Sequence, residues 1–181
     1  MDRLVETVVK TETPWEQILS RYIYEIAKTR YDWCRPSRRQ SDFFIPALHS
    51  CEAGNIVLVI DSSGSINGAV FNRFVAEMKT ILENISSRLW VIVCDDQIQD
   101  AREIAVDELC ELKPKGYGGT DFRPPFDWLD KEGIEPTVLI YLTDMECWDF
   151  PVEPTYPVIW AAYGYYAKDA VVPFGEKIIL K

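Results

Sequence analysis

Ile56-Val57-Leu58-Val59-Ile60-Asp61-Ser62-Ser63-Gly64-Ser65 is the stretch that decides the fold. The run 56–60 is wholly apolar and mostly β-branched, too continuous for a strand with one wet face. It predicts a strand buried on both sides, as in a parallel sheet covered by helices. The run breaks abruptly into Asp61 and a turn of serine and glycine. Apolar residues then return at helical spacing: Val70, Phe71, Phe74, Val75, Met78, Ile81, Leu82 and Ile85. Strand, polar turn and amphipathic helix together open a βαβ unit.

The same alternation continues outward. Residues 89–94 read as a second buried strand, and alternation over 101–106 reads as an edge strand, with an antiparallel pairing the expectation. Residues 109–119 are rich in Lys, Pro and Gly and read as a connection. Phe122, Phe126 and Leu129 share one face of a short helix with Pro124-Pro125 in its first turn. Residues 137–142 give a third buried strand, and 158–161 and 177–180 two more. This is an α/β pattern, a parallel sheet with helices on both faces.

Before residue 53 the character differs. Thr13-Pro14-Trp15-Glu16 offers an N-cap, a proline at the first helical position and a capping-box glutamate. Trp15, Ile18, Leu19, Tyr22, Ile23 and Ile26 then make one apolar helix face. Residues 31–46 are aromatic and basic, with Trp33, Arg35, Arg38, Arg39, Phe43 and Phe44, and read as an irregular arm. The expected division is residues 1–52, a helix and arm packed on the core, and residues 53–181, the main domain.

The 181 residues carry a net charge of −10 and are 48% apolar, enough for one domain with a real core. So acidic a chain argues against nucleic acid or an anionic membrane as partner. The five cysteines contain no C-x-x-C pair and the one histidine cannot complete a zinc site. Dispersed in this way they predict reduced, packed thiols. The first residues lack an apolar signal core, and no run of about 18 apolar residues exists. The expected location is the cytoplasm.

Chemistry gathers at Asp61, Ser63, Ser65, Thr120 and Asp144. Asp61, Ser63 and Ser65 follow the first buried strand, Asp144 the third, and Thr120 ends the Gly116-Tyr117-Gly118-Gly119 loop. In open α/β sheets ligands sit beyond the carboxyl ends of strands. The set is all hard oxygen, which suits Mg²⁺ or Mn²⁺, with Ca²⁺ a poorer match. Small residues in the glycine loop let backbone and hydroxyl approach an ion closely. Hydroxyls coordinate without adding charge, so two aspartates leave a divalent ion formally +2 − 2 = 0 and still electrophilic. No serine here has a histidine base, so the set reads as a binding device rather than a catalytic one.

D-x-S-x-S with a distant Thr and a distant Asp resembles the metal-ion-dependent adhesion site of von Willebrand factor A domains. The resemblance implies a Rossmann-like three-layer sandwich, mostly parallel, with one antiparallel edge strand. It implies Ser63, Ser65 and Thr120 as direct ligands, and Asp61 and Asp144 acting largely through water. A partner protein would complete the coordination with an Asp or Glu, and AAA-type ATPases are one implied partner class. The arm Tyr31-Asp32-Trp33-Cys34-Arg35-Pro36-Ser37-Arg38-Arg39, the helix before it, Leu142-Thr143-Asp144 and Asp149-Phe150-Pro151 also resemble the C-terminal half of a bacterial family. That family is described as predicted metal-dependent peptidases with a von Willebrand A-like domain. Its peptidase assignment rests on an H-E-x-x-H segment, which these residues lack, so that activity is not carried over. One departure stands out: many adhesion sites have Gly after the final Asp, where this chain has Met145 and then Glu146. Met145 is placed to shield the ion, and Glu146 to cap it.

Other residues weigh less. His49 reads as structural, Asp95-Asp96 as a solvated loop, and Trp33, Trp128, Trp148 and Trp160 as packing rather than a recognition surface. Arg35, Arg38 and Arg39 read as partners for the chain's own acids, and Cys147 as an inert thiol. The leading functional expectation is a divalent-metal-dependent protein–protein interaction module. The alternatives are the non-catalytic half of a metallopeptidase-like assembly and, last, a metal-assisted hydrolase. The last lacks a second acid two residues after Asp61 and any G-x-S-x-G elbow.

Overall fold

The computed structural model describes residues 15–28, 32–36, 46–47, 52–64, 68–83, 85–112 and 118–180. In chain order these form α1 (Trp15–Lys28), β1 (Asp32–Pro36), β2 (Pro46–Ala47), β3 (Glu52–Asp61), α2 (Gly68–Leu82), β4 (Ser86–Cys94) and β5 (Ile98–Ile104). A 3₁₀ turn (Val106–Glu111), α3 (Arg123–Glu132), β6 (Pro136–Thr143), β7 (Val158–Ala162) and β8 (Glu176–Ile179) follow. Strands β3 to β8 form one six-stranded sheet in the order β5-β4-β3-β6-β7-β8. Every pairing is parallel except β4 with β5. The result is the mostly parallel α/β sandwich with one antiparallel edge strand that the resemblance implies.

Alternation sorts the strand residues into two cores. Ile56, Leu58 and Ile60 of β3 face a mainly aliphatic layer with Phe71, Phe74, Met78 and Leu82 of α2. Val57 and Val59 face the other side, with Phe122, Phe126 and Leu129 of α3 and Tyr141, Trp160 and Phe174. Burial on both faces is why residues 56–60 of β3 and 138–142 of β6 read as nearly continuous apolar runs. Trp160 is fully buried and its Nε1–H donates to the Phe174 carbonyl oxygen at 2.9 Å.

The N-terminal helix has a structural task. No helix connects β6 to β7 or β7 to β8. The sheet face these crossovers leave open is filled by α1, whose Trp15, Leu19 and Ile23 are buried beside β3, β6 and β8. Trp15 stacks on Phe74 at 6.2 Å, and Arg73 lies over the Trp15 ring while pairing with Glu16 at 2.6 Å. The Thr13 half of the expected capping box lies outside the described residues.

Three expectations are corrected. The edge strand is Ile98–Ile104 rather than 101–106. The region after it is not wholly irregular, because Leu109 and Leu112 bury the 3₁₀ turn against the core. The arm contains a short antiparallel ladder between Asp32–Pro36 and Pro46–Ala47. His49, Arg38 and Arg39 lie outside the described residues.

Candidate metal centre

The topology creates the site. From β3 the chain passes through α2 to β4 on one side, and it later returns through α3 to β6 on the other. The loops leaving the carboxyl ends of β3 and β6 therefore diverge, which opens a crevice at the switch point. Register sets what faces it. Ile60 pairs with Leu142 and Asp61 with Cys94, so Asp61 lies level with Thr143, one residue before Asp144.

Asp61 is wholly buried and Asp144 is 4% exposed. The Ser63 N–H donates to Asp61 Oδ1 at 2.8 Å, and the Thr143 hydroxyl donates to Asp61 Oδ2 at 3.1 Å. The Met145 N–H donates to Thr143 Oγ1 at 3.0 Å, and the Glu146 N–H to Asp144 Oδ1 at 3.1 Å. Asp144 Oδ2 is buried without a hydrogen-bond partner, and so is Ser62 Oγ. Native structures leave few such groups, because burying an unpaired polar atom is costly.

The electrostatics agree. Burial pushes the Asp61 carboxyl up to about 6, hydrogen bonds from Ser63 and Thr143 pull against that, and the neighbouring Asp144 carboxylate adds to it. No basic side chain among the described residues pairs with Asp61 or Asp144; the nearby Arg123 is engaged by Asp121 at 2.7 Å and by Asp149 at 4.0 Å. Two buried like charges without a counter-charge are costly. A divalent cation relieves that cost, and the donor set of carboxylates and hydroxyls is of the type a hard cation takes. Among the described residues no cluster of three or more His, Cys, Asp or Glu gathers. Any ion held here therefore depends on hydroxyl oxygens as well as on acids.

The other predicted residues are placed as follows. Ser63 is buried in the turn after β3. Thr120 is half-buried on the same rim, because the Asp121 N–H donates to the Asp95 carbonyl oxygen just beyond β4. Ser65 lies outside the described residues. Within the glycine loop, a Cβ on Gly118 would come within 3.0 Å of both Asp95 Oδ2 and Asp96 Oδ1, so its smallness lets the chain pass close to two carboxylates. Asp95 is not a solvated loop residue but 3% exposed. Met145 does not shield the crevice from above; it is 1% exposed and packs in the aromatic core. Its φ of 65° falls in the left-handed region where glycine is usual, as the departure from the adhesion-site pattern foreshadows. Glu146 meets Asp144 through its backbone, and its side chain is exposed.

Trp160 and Trp128 are packing residues, the latter against Trp90 at 6.0 Å, but Trp148 is 76% exposed. Cys94 and Cys147 are buried, and burial pushes the Cys94 thiol up to about 12, so it stays neutral. Cys110 is exposed. Sequence reasoning missed Thr143, whose only signal is a hydroxyl at the end of a buried strand, next to Asp144.

Fold and crevice together define an α/β sandwich with two buried carboxylates and buried hydroxyls at its switch point. A family model described as "VWA-like domain (DUF2201)" matches residues 56–181, and the chain belongs to that family. A second model, described as "Putative metallopeptidase domain", matches residues 1–49. An uncharacterized protein of Thermotoga maritima is 28% identical over 122 residues, covering 66% of this chain and 30% of its own length. The chain thus spans less than a third of that relative.

Proposed function

We propose that the chain is a divalent-metal-dependent protein-interaction module that receives a carboxylate from a partner protein. One observation carries the reading: Asp61 and Asp144 are buried side by side at the switch point, one carboxylate oxygen has no donor, and no basic side chain pairs with either among the described residues. Ser63, Thr120 and Ser65 are the hydroxyls proposed to join them around Mg²⁺ or Mn²⁺. The ion supplies an electrophilic position, and the chain's own residues orient its waters and set its net charge.

The surroundings support protein contact. Trp148 stands on the loop that Asp144 opens. Gly164 lies against Asp144, and next to it Tyr165, 86% exposed, meets Tyr166 edge-on at 5.3 Å. Exposed aromatics of this kind anchor protein interfaces. AAA-type ATPases are the first partner class to try. Among the described residues no helix is long and apolar enough to cross a membrane.

The test is calorimetric titration of EDTA-stripped protein with Mg²⁺, Mn²⁺ and Ca²⁺, beside Asp61→Ala. Saturable binding by the wild type and a loss of at least about 100-fold in the variant are expected. Equal heats in both proteins, or none in either, would sink the reading.

The match of residues 1–49 to a metallopeptidase domain model favours a second reading, the non-catalytic part of a metallopeptidase-like assembly. These 181 residues hold a single histidine and so no H-E-x-x-H site, and this reading looks for one on a separate polypeptide in the complex. Co-purification with such a polypeptide supports this reading, and a partner set without one counts against it.

A further inference from the structure

Thr143 belongs to none of the five predicted ligand positions, yet it is fully buried between the two aspartates that form the centre. A threonine hydroxyl has one proton to give and lone pairs to receive. Here both capacities are used across two elements. The hydroxyl donates to Asp61 Oδ2 on the neighbouring strand β3, and it accepts the Met145 N–H in the turn after its own strand. We propose that Thr143 is a positioning residue for the metal centre, holding the Asp61 carboxylate and the Asp144 turn in one fixed relation. The inference rests on the metal-binding reading above.

Three observations carry it. First, Asp61 is held at both oxygens: Oδ1 by the Ser63 N–H and Oδ2 by Thr143. Removing the second leaves the carboxylate held by Ser63 alone. Second, the turn presenting Asp144 passes through Met145 at φ 65°, which a side chain other than glycine rarely adopts. The Thr143 hydroxyl holds the N–H of that residue, and burial of the Met145 side chain in the aromatic core holds its other end. Third, a β-branched residue at a strand end has few rotamers, so the hydroxyl direction is set before any ion arrives. Partners that orient ligands in this way tune a site without touching the ion.

The experiment uses the full chain, stripped with EDTA, and titrates it with Mg²⁺ and separately with Mn²⁺. Thr143→Val keeps the shape and loses both hydrogen bonds, whereas Thr143→Ser keeps both bonds and loses a methyl group. Circular dichroism first fixes a temperature at which each variant is folded. Thr143→Val is expected to weaken Mg²⁺ affinity by about 10–100-fold at unchanged stoichiometry, and Thr143→Ser to stay within about 3-fold of wild type. An unchanged dissociation constant in Thr143→Val, with or without a fall in stoichiometry, would mean a structural role only and would overturn the proposal. If Thr143→Val does not fold, Thr143→Cys replaces it. Its weak donor predicts an affinity between those of Thr143→Ser and an Asp61→Ala protein, and wild-type affinity there overturns the proposal equally. A wild type that takes up neither ion defeats the metal reading itself, and the role of Thr143 falls with it. A wild type that binds beside a Thr143→Val that binds as well defeats this proposal alone.

Discussion

Asp61 and Asp95 are the same residue type at the ends of neighbouring strands, and both are buried, at 0% and 3% exposure. Their surroundings are opposite. Asp95 is supplied by its own turn: the Gln97 N–H donates to Oδ1 at 2.9 Å, and Gln99 Nε2 lies 3.0 and 3.1 Å from the two oxygens. The Gly118 N–H adds another donor. Burial works against ionisation of Asp95, but these hydrogen bonds outweigh it and hold its carboxyl below the ordinary value. Asp61 has fewer donors, is more deeply enclosed and faces Asp144, and its carboxyl moves the other way, up to about 6. A carboxylate built to hold a loop brings its donors with it. One short of donors beside a second carboxylate is the group that the proposed cation would relieve.

The largest expected effect tests that contrast at Asp61. A carboxyl that titrates near 6 in the folded chain and near 3.8 unfolded costs about 3 kcal/mol at pH 7 in the metal-free protein. The folded state binds more protons than the unfolded between those values, so stability falls as pH rises from about 4 to about 6 and then levels. Asp61→Asn removes this cost. Urea unfolding in EDTA should show the variant more stable by up to about 3 kcal/mol above pH 6, with the two proteins converging near pH 4. Saturating Mg²⁺ should narrow or reverse the order, because only the wild type gains from binding. A variant that is the less stable of the two at pH 7 in EDTA would break the comparison.

Asp95→Ala should do the reverse and on a smaller scale. It removes the carboxylate that accepts from the Gln97 and Gly118 N–H groups and from Gln99, at a cost of about 2 kcal/mol in the same unfolding experiment. Thr120 should keep its place, because the bond from the Asp121 N–H runs to the Asp95 backbone oxygen, which alanine retains. Mg²⁺ affinity should therefore stay within about 3-fold of wild type. A collapse of affinity in Asp95→Ala would make Asp95 part of the centre and erase the distinction.

Much of this was legible in the sequence where one pattern served one purpose. Residues 56–60 and 137–142 are buried on both faces, and their apolar runs mark them as buried strands. Legibility failed where two demands overlapped. In β5 the apolar residues Ile98, Ala101 and Ile104 fall three apart, because the ladder slips at Val93/Cys94 and most of the strand is wet, so alternation pointed too far along. The 3₁₀ turn hid for a related reason, its buried Leu109 and Leu112 lying three apart inside a polar stretch. Of the site, Asp61, Ser63 and Asp144 could be read because acids and hydroxyls at strand ends are conspicuous. Thr143 could not, since a threonine ending a strand is what β propensity alone predicts. The place of Met145 was also hidden: methionine gives no hint of a positive φ, and only the pattern's missing glycine marked the position.

The smallest effect sharpens the comparison most finely. Gln99 is an exposed residue of β5, and its side-chain amide lies within hydrogen-bond range of both Asp95 oxygens. Gln99→Ala makes Asp95 a little more like Asp61, buried and short of a donor, while the Gln97 and Gly118 N–H groups stay in place. The loss is expected to be about 1 kcal/mol in unfolding free energy, since a hydrogen bond at an exposed side chain returns part of its value to water. The informative readout is the Asp95 carboxyl, followed by NMR from pH 2 to 6. It should titrate higher in Gln99→Ala than in wild type, because a donor to the charged form is gone. Asp61 should not follow it, since none of its described donors comes from β5. If the Asp61 titration moves with that of Asp95, the two carboxylates belong to one electrostatic unit, and the division between a holding aspartate and a receiving one dissolves.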